Sequence, residues 1–409
     1  MSKNLRLVIM GILGRTPLAG VSWQVLHFLE GFRRLGYDVY YIEDTGGWAY
    51  NPLQKTHDNN ESSECTHGSN CQYAVSYVAK LMSSFGLQDR WAYWSRVDSR
   101  VFGLSQTQVL QLFENADALV NLTGSTQLFE EHTRVPVRIY LETDPVTRQI
   151  EVVQGDRKAI DLLEAHTHFF TYGENFGAPD CSVPLTRFHY HPTRQPIVLD
   201  WWTYDARLAS ELNEQPNVPT CFTTIAKWRQ PGKDIEWNGE TYSWSKHVEF
   251  LKFLDLPRRS QQEFELALAW EDEKDEEAIP ELTSQGWRVI DAISLSLNIA
   301  PYREYILGSR GEFTVAKDQN IRLRSGWFSD RSACYLAAGK PVVTQDTAFG
   351  NILPIGRGLF AFRNMEDILT AIDTIESNYE GHCRAAREIA EEYFAAEKVL
   401  GSLMERVGL

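Results

Sequence analysis

The residues best suited to chemistry lie late in the chain, in Ser325-Gly-Trp-Phe-Ser-Asp-Arg-Ser-Ala-Cys-Tyr-Leu-Ala-Ala-Gly-Lys-Pro-Val-Val343. This run reads as a loop, a helix capped by Ser329 or Asp330, a glycine stop at Gly339 and a strand. The free N–H groups and the dipole of such a helix start favour an anion. Arg324 and Arg331 stand where they could add bidentate contacts to a phosphate. Local physics alone weighs this reading evenly against a plain helix-to-strand turn with surface arginines.

A second set of candidates consists of carboxylates. Leu141-Glu-Thr-Asp-Pro145 follows a predicted strand. Ligands of doubly wound sheets gather at the carboxyl ends of strands, so Glu142 and Asp144 are expected to face a cleft. A carboxylate there can take the proton of an attacking hydroxyl. Asp144 is the better candidate base because it sits at the turn, and the competing reading is an Asx turn. Thr171-Tyr-Gly-Glu-Asn175 offers Glu174 in a similar strand-terminal loop. Gly11-Ile-Leu-Gly14 lacks the full G-x-G-x-x-G pattern. It is either a tight turn or a loop that lets the backbone approach a substrate. His27 reads as a half-buried structural residue. Of His166 and His168, which flank a strand, one is expected to point inward. Cys65 and Cys71 lack zinc-ligand spacing, and no Asp-x-Asp offers a divalent-ion site, so no metal is expected.

These residues need elements to position them. Leu5–Met10 reads as a strand. A helix with period-3.6 apolar positions follows over 22–35, with Ser22 as its cap and Gly36 as its stop, and then a strand over 38–42. Strand, glycine loop, helix and strand form a βαβ unit, which implies a parallel sheet. A polar loop over 45–72, helices over 73–85 and 106–115, and strands over 118–122, 137–141 and 167–171 complete the first set. A second set begins with a strand over 220–225 and a helix over 245–254. Strands follow over 264–269, 287–290, 311–315, 340–344 and 358–361, then helices over 365–378 and 382–406. The expected fold class is α/β, with two Rossmann-like domains facing a cleft. The expected division is 1–205, 206–380 and a C-terminal helical segment 381–409.

The formal net charge of −15 over 409 residues argues against nucleic acid and anionic lipid as partners, without excluding a small basic cavity. No apolar run is long enough to span a membrane, and no leader peptide is evident. The six cysteines are scattered, as expected of reduced thiols in a cytoplasmic protein.

The segment Ala337-Ala-Gly339-Lys-Pro341-Val-Val343 resembles the C-terminal signature of GT-B glycosyltransferases. In these a helix ending Ala-x-Gly-x-Pro-Val-Val follows a donor-binding loop. The resemblance is architectural over most of the chain and specific over about 320–350. It implies a nucleotide-sugar donor as co-substrate, with no other cofactor, and a last helix that crosses back to the first domain. It further implies a phosphate-binding basic loop with Lys227, Arg229 and Lys233, and a phosphate lysine at Lys246. Asp346 and Thr347 would touch the donor sugar, and the Gly11–Gly14 loop would meet the donor across the cleft. One departure stands out. Many retaining members carry two glutamates eight positions apart, and this chain has Gly326 and Cys334 there, so Asp330 is the expected replacement. The implied activity is transfer of a sugar to an acceptor hydroxyl; the absence of Asp-x-Asp fits metal independence, and Asp144, at its strand end, is the candidate catalytic base. The alternatives are an epimerase-type relative and a binding protein that has lost the chemistry.

Overall fold

The computed structural model describes residues 4–47, 49–53, 68–203, 220–270 and 276–409. Most of the polar run 45–72, including Cys65, lies outside these residues, as does 204–219, where the division between the halves is expected.

The first sheet contains β1 (Arg6–Met10), β2 (Asp38–Thr45), β3 (Trp91–Ser95), β4 (Arg100–Gly103), β5 (Ala118–Leu122), β6 (Val137–Glu142), β7 (His168–Thr171) and β8 (His191–Pro192). Their order is β4-β3-β2-β1-β5-β6-β7-β8, parallel except for the antiparallel β3–β4 pair. The chain continues with β9 (Cys221–Lys227), the hairpin β10 (Ile235–Trp237) and β11 (Glu240–Tyr242), β12 (Glu263–Ala269), β13 (Arg288–Asp291), β14 (Gly311–Thr314), β15 (Val342–Gln345) and β16 (Leu359–Phe362). Apart from the hairpin, these form a parallel sheet in the order β13-β12-β9-β14-β15-β16. Each sheet runs outward from its first strand in both directions, which is the doubly wound pattern. Central strands such as β5 and β15 are buried along their whole length, because parallel sheets are covered on both faces.

The first helix runs from Ala19 to Arg34, so Ser22 is not its cap. The Ser22 hydroxyl instead donates back to the Leu18 carbonyl at 3.1 Å, the local bond that serine adopts inside a helix. Gly36 does end the helix region, at φ +91°. β3, wholly buried, and β4, partly exposed, form an edge that the sequence reading does not predict.

The expected helix over 382–406 is broken. Tyr379–Ile389 is α-helical, Ala390–Phe394 forms a π turn, and a new helix runs from Ala396 to Arg406. At the break Ile197 N–H donates to the Phe394 carbonyl at 2.7 Å, and Ala396 N–H donates to the Ile197 carbonyl at 3.0 Å. Beyond it the last helix packs on the first helix of the chain. The contact needs Gly31, since a Cβ there would sit 2.6 Å from Leu400 Cδ1. The terminal helix thus crosses back to the first half, as expected.

The halves also lock through backbone. Asn175 N–H donates to the Ser325 carbonyl at 3.1 Å, and Ser182 N–H to the Leu323 carbonyl at 3.0 Å. Trp327 Nε1 donates to the Thr143 carbonyl at 2.9 Å, and Trp23 Nε1 to the Ile299 carbonyl at 3.1 Å.

Candidate active site

In each sheet the strand order reverses at one place, and the loops leaving the two strands there diverge and open a crevice. In the second sheet the reversal falls between β9 and β14. A cavity of about 190 Å³ lies there, lined by Ile225, Ala226, Lys227, Gln230, Lys246, Lys317 and Arg331. Its wall is therefore three lysines and an arginine on an apolar floor. Lys227 ends β9, Lys246 precedes the helix His247–Leu251, and Lys317 follows β14. Arg331 belongs to the first turn of the helix Asp330–Ala337.

Like charges held together out of water repel one another. Burial, and then the neighbouring Arg331 and Lys317 cations, push the half-buried Lys246 ammonium down to about 7. Among the described residues Lys246 makes no ion pair. Its ammonium lies 5.3 Å from the centroid of the Trp327 ring. A cluster of this kind can hold an anion with several oxygens.

Arg331 supports the cluster from behind. Its Nε donates to Glu312 at 2.5 Å, Nη2 donates to Thr314 Oγ1 at 2.9 Å, and Nη1 donates to the Ile225 carbonyl. Three of its five N–H groups are thus spent on β9 and β14. One N–H on each Nη remains for the phosphate contact expected of Arg331, and the clip holds its charge at the cavity.

Asp330 opens the same helix. Ser329 holds the cap position, but its side chain makes no capping bond. Burial and the charge of Asp144 push the Asp330 carboxyl up to about 7, against a hydrogen bond from Gln24 of the first half. Asp144 reaches across the cleft from the loop after β6, and its Oδ1 is 2.5 Å from Lys317 Nζ. The cleft therefore joins Asp144, Asp330, Lys246, Lys317 and Arg331. Lys317 and Gln230 carry no local sequence signal, since only the strand order brings their loops to this wall.

The crevice of the first sheet lies between the ends of β1 and β5. Here Glu43 takes the N–H groups of Gly14, at 2.5 Å, and Arg15, at 2.7 Å, and the Tyr41 hydroxyl at 2.8 Å. Burial pushes the Glu43 carboxyl up to about 7 despite these donors. The amide of Gly14 is thus committed to protein. Gly14 is needed for packing, since a Cβ would meet the Tyr93 ring at 2.7 Å. A Cβ on Gly11 would lie 3.2 Å from the Tyr41 ring. The opposite lip is Thr123-Gly-Ser125, with Thr123 and Gly124 at positive φ and the Thr123 and Ser125 hydroxyls 2.8 Å apart.

Several expected site residues lie elsewhere or are spent within the fold. Arg324, at φ +51°, pairs with Asp180 at 2.8 Å and Asp346 at 3.3 Å, which places it in the lock between the halves. Asp346 also takes Arg363 and the Ala348 amide, and Thr347 donates to the Trp327 carbonyl. Both residues hold their loop in shape. Arg229 does not line the cavity. Lys233 stands 5.2 Å from the centroid of the Trp244 ring, beside Lys317. Glu142 is buried, takes both Gln149 Nε2 and Thr171 Oγ1, and is pushed up to about 7 by burial. Glu174 pairs with Arg194 at 2.6 Å. His27 is buried outright, held between Val198 N and Trp202 Nε1, and burial drives it down to about 3.

Among the described residues, one group has the composition of a metal site: Asp44, Glu131 and His132. The Arg96 guanidinium bridges both carboxylates and so supplies the positive charge there.

Neither a protein-family model nor a curated protein matches the chain by sequence. Its backbone does match solved structures over its whole length. Anabaena HepE, in complex with UDP and glucose, aligns with a TM-score of 0.57 at 11% identity, over 99% of this chain and 100% of that one. An α-glucosyltransferase, in complex with UDP and a 13-mer DNA containing a central A:G mismatch, aligns at 0.58 and 11% identity, over 99% and 100%. A glycosyltransferase involved in avilamycin A biosynthesis aligns at 0.51 and 11% identity, over 98% and 96%. The chain has the GT-B fold that these proteins share.

Proposed function

We propose that the chain is a glycosyltransferase that moves a hexose from a nucleoside-diphosphate sugar to an acceptor hydroxyl. One observation carries the reading: Lys227, Lys246, Lys317 and Arg331 line one cavity at the switch point of the second sheet. The developing charge of a diphosphate leaving group is what such preorganised cations stabilise. The solved structures of the same fold hold UDP, which makes uridine the first base to try.

In this reading the diphosphate lies against Lys246 and Lys317, and the start of the Asp330–Ala337 helix faces it. Asp330 accepts a donor hydroxyl in the region where many relatives of this fold carry a glutamate. The acceptor enters along the first-sheet crevice, and Asp144 takes its proton. The protein cations supply the charge that a divalent ion would supply, so transfer needs no added metal. A net charge of −15 disfavours a nucleic-acid acceptor, although one structure of the same fold holds DNA. Among the described residues no helix is long and apolar enough to cross a membrane, and the five described cysteines are free. Both fit the proposal that the chain works in the cytoplasm.

Thermal shift with nucleoside mono- and diphosphates tests the reading. A ligand that binds only the folded chain raises its stability, by about 2.7 kcal/mol at a hundredfold excess over Kd. UDP is expected to raise Tm more than UMP does. Equal shifts, or none with any nucleoside diphosphate, would remove the donor site.

A further inference from the structure

Lys317 faces two anion positions at once. It leaves β14 at the cap position of the helix Asp318–Arg322, in the second half. Its ammonium is 2.5 Å from Asp144 Oδ1, in the first half, and 3.3 Å from the centroid of the Trp244 ring. The same side chain lines the cavity that holds Lys246 and Arg331. The Lys317 side chain is 9% exposed and that of Asp144 is 44% exposed. Asp144 therefore presents a solvent-open carboxylate whose positive partner is part of the anion site.

An ammonium carries a single charge, and that charge cannot serve two separate anions at full strength. A diphosphate in the cavity competes with Asp144 for the Lys317 ammonium. Two ligands of one cation are coupled, and the coupling is reciprocal: whatever weakens the Asp144 contact strengthens the hold on the diphosphate, and the reverse.

We propose that Lys317 couples the two halves of the site. In the arrangement seen it neutralises Asp144, and a diphosphate in the cavity recruits its ammonium, leaving Asp144 free to accept a hydrogen bond from the acceptor hydroxyl. This inference rests on the donor reading above. It favours a donor-first order, because the acceptor hydroxyl competes with Lys317 for Asp144 until the diphosphate draws the ammonium away. Asp144 is then held in check until a sugar is present to be transferred.

Calorimetric titration of UDP into four forms of the full chain tests this: wild type, Asp144→Asn, Lys317→Met and the double variant. Asp144→Asn is expected to tighten UDP binding by at least about fivefold, the lower end of ordinary coupling between sites. Lys317→Met is expected to weaken it, and adding Asp144→Asn to Lys317→Met is expected to change nothing further. Lys317→Arg keeps the charge and should restore the response to Asp144→Asn. UDP binding that Asp144→Asn leaves unchanged or weakens overturns the coupling alone. Tightening that persists without Lys317 overturns it too, since simple removal of a repulsive carboxylate would explain that result. If neither UDP nor pyrophosphate binds the wild-type chain, the donor reading fails and the coupling falls with it.

Discussion

Arg331 Nε donates to Glu312 at 2.5 Å, and Glu312 is fully buried on β14. The charge that faces the cavity is thus anchored to the sheet beneath it. Removing the guanidinium strands a carboxylate in the interior, which typically costs about 3 to 5 kcal/mol. Arg331→Ala is expected to lower global stability by that order, read as a shift in the urea midpoint. A variant with an unchanged midpoint would show that the clip contributes nothing and that Arg331 serves the ligand alone.

Lys246 behaves in the opposite way. It has no ion-pair partner among the described residues, so Lys246→Met is expected to leave the fold intact. UDP binding should weaken by about 1.5 to 3 kcal/mol, the range for hydrogen bonds to charged groups. Burial and its cationic neighbours hold Lys246 down to about 7, and a bound anion favours the charged form. Binding above that pH therefore takes up a proton, and affinity falls as pH rises from 7 towards 10. Titrations in buffers of differing ionisation heat would show the proton in the wild type and not in the variant. A pH-independent Kd in the wild type contradicts the assignment.

Glu142 tests the interior of the first half. Its carboxyl is raised from 4.5 to about 7 by burial, so between these values the folded chain binds more protons than the unfolded one. Stability from this group is complete below pH 4.5 and is lost as pH rises through 7, at up to about 1.4 kcal/mol per pH unit. Glu142→Gln removes the titration. The stability difference between wild type and variant should move against the wild type over this window. A difference that stays constant with pH would mean that Glu142 is ionised throughout.

Metal dependence separates protein cations from a bound ion as the source of charge at the diphosphate. Activity is expected to survive EDTA, because Lys246, Lys317 and Arg331 already surround the cavity. Loss with EDTA and recovery with a divalent ion would overturn the metal-free mechanism.

Much of the fold was legible from local signals. The strand 118–122 and the helix 106–115 lie where they are expected. Gly36 stops the first helix as its lack of a Cβ allows. The alternation of strand and helix implied two parallel sheets, since each parallel connection must cross over a face. β3 and β4 lie where the sequence reading places no element; the antiparallel pairing of the partly exposed β4 with β3 adds this edge. The C-terminal break escaped because its cause is a long-range pairing of Ala395 with Ile197.

The site was legible only in part, for a physical reason. The sequence by itself offered the helix start at 329–331 as a candidate anion site, because a helix dipole is a local property, and the family resemblance added Lys246. It also determined which glutamates of the resembling family are missing. Only the tertiary structure decided which charges are free to act. Arg324, Asp346 and Thr347 have suitable chemistry, but distant partners consume it. Lys317 has no local signature, yet the order of β9 and β14 sets it against Lys246 on one side and Asp144 on the other. Hydrogen-bond partners and neighbouring charges are properties of proximity in space, and strand order, which no window of sequence encodes, determines that proximity.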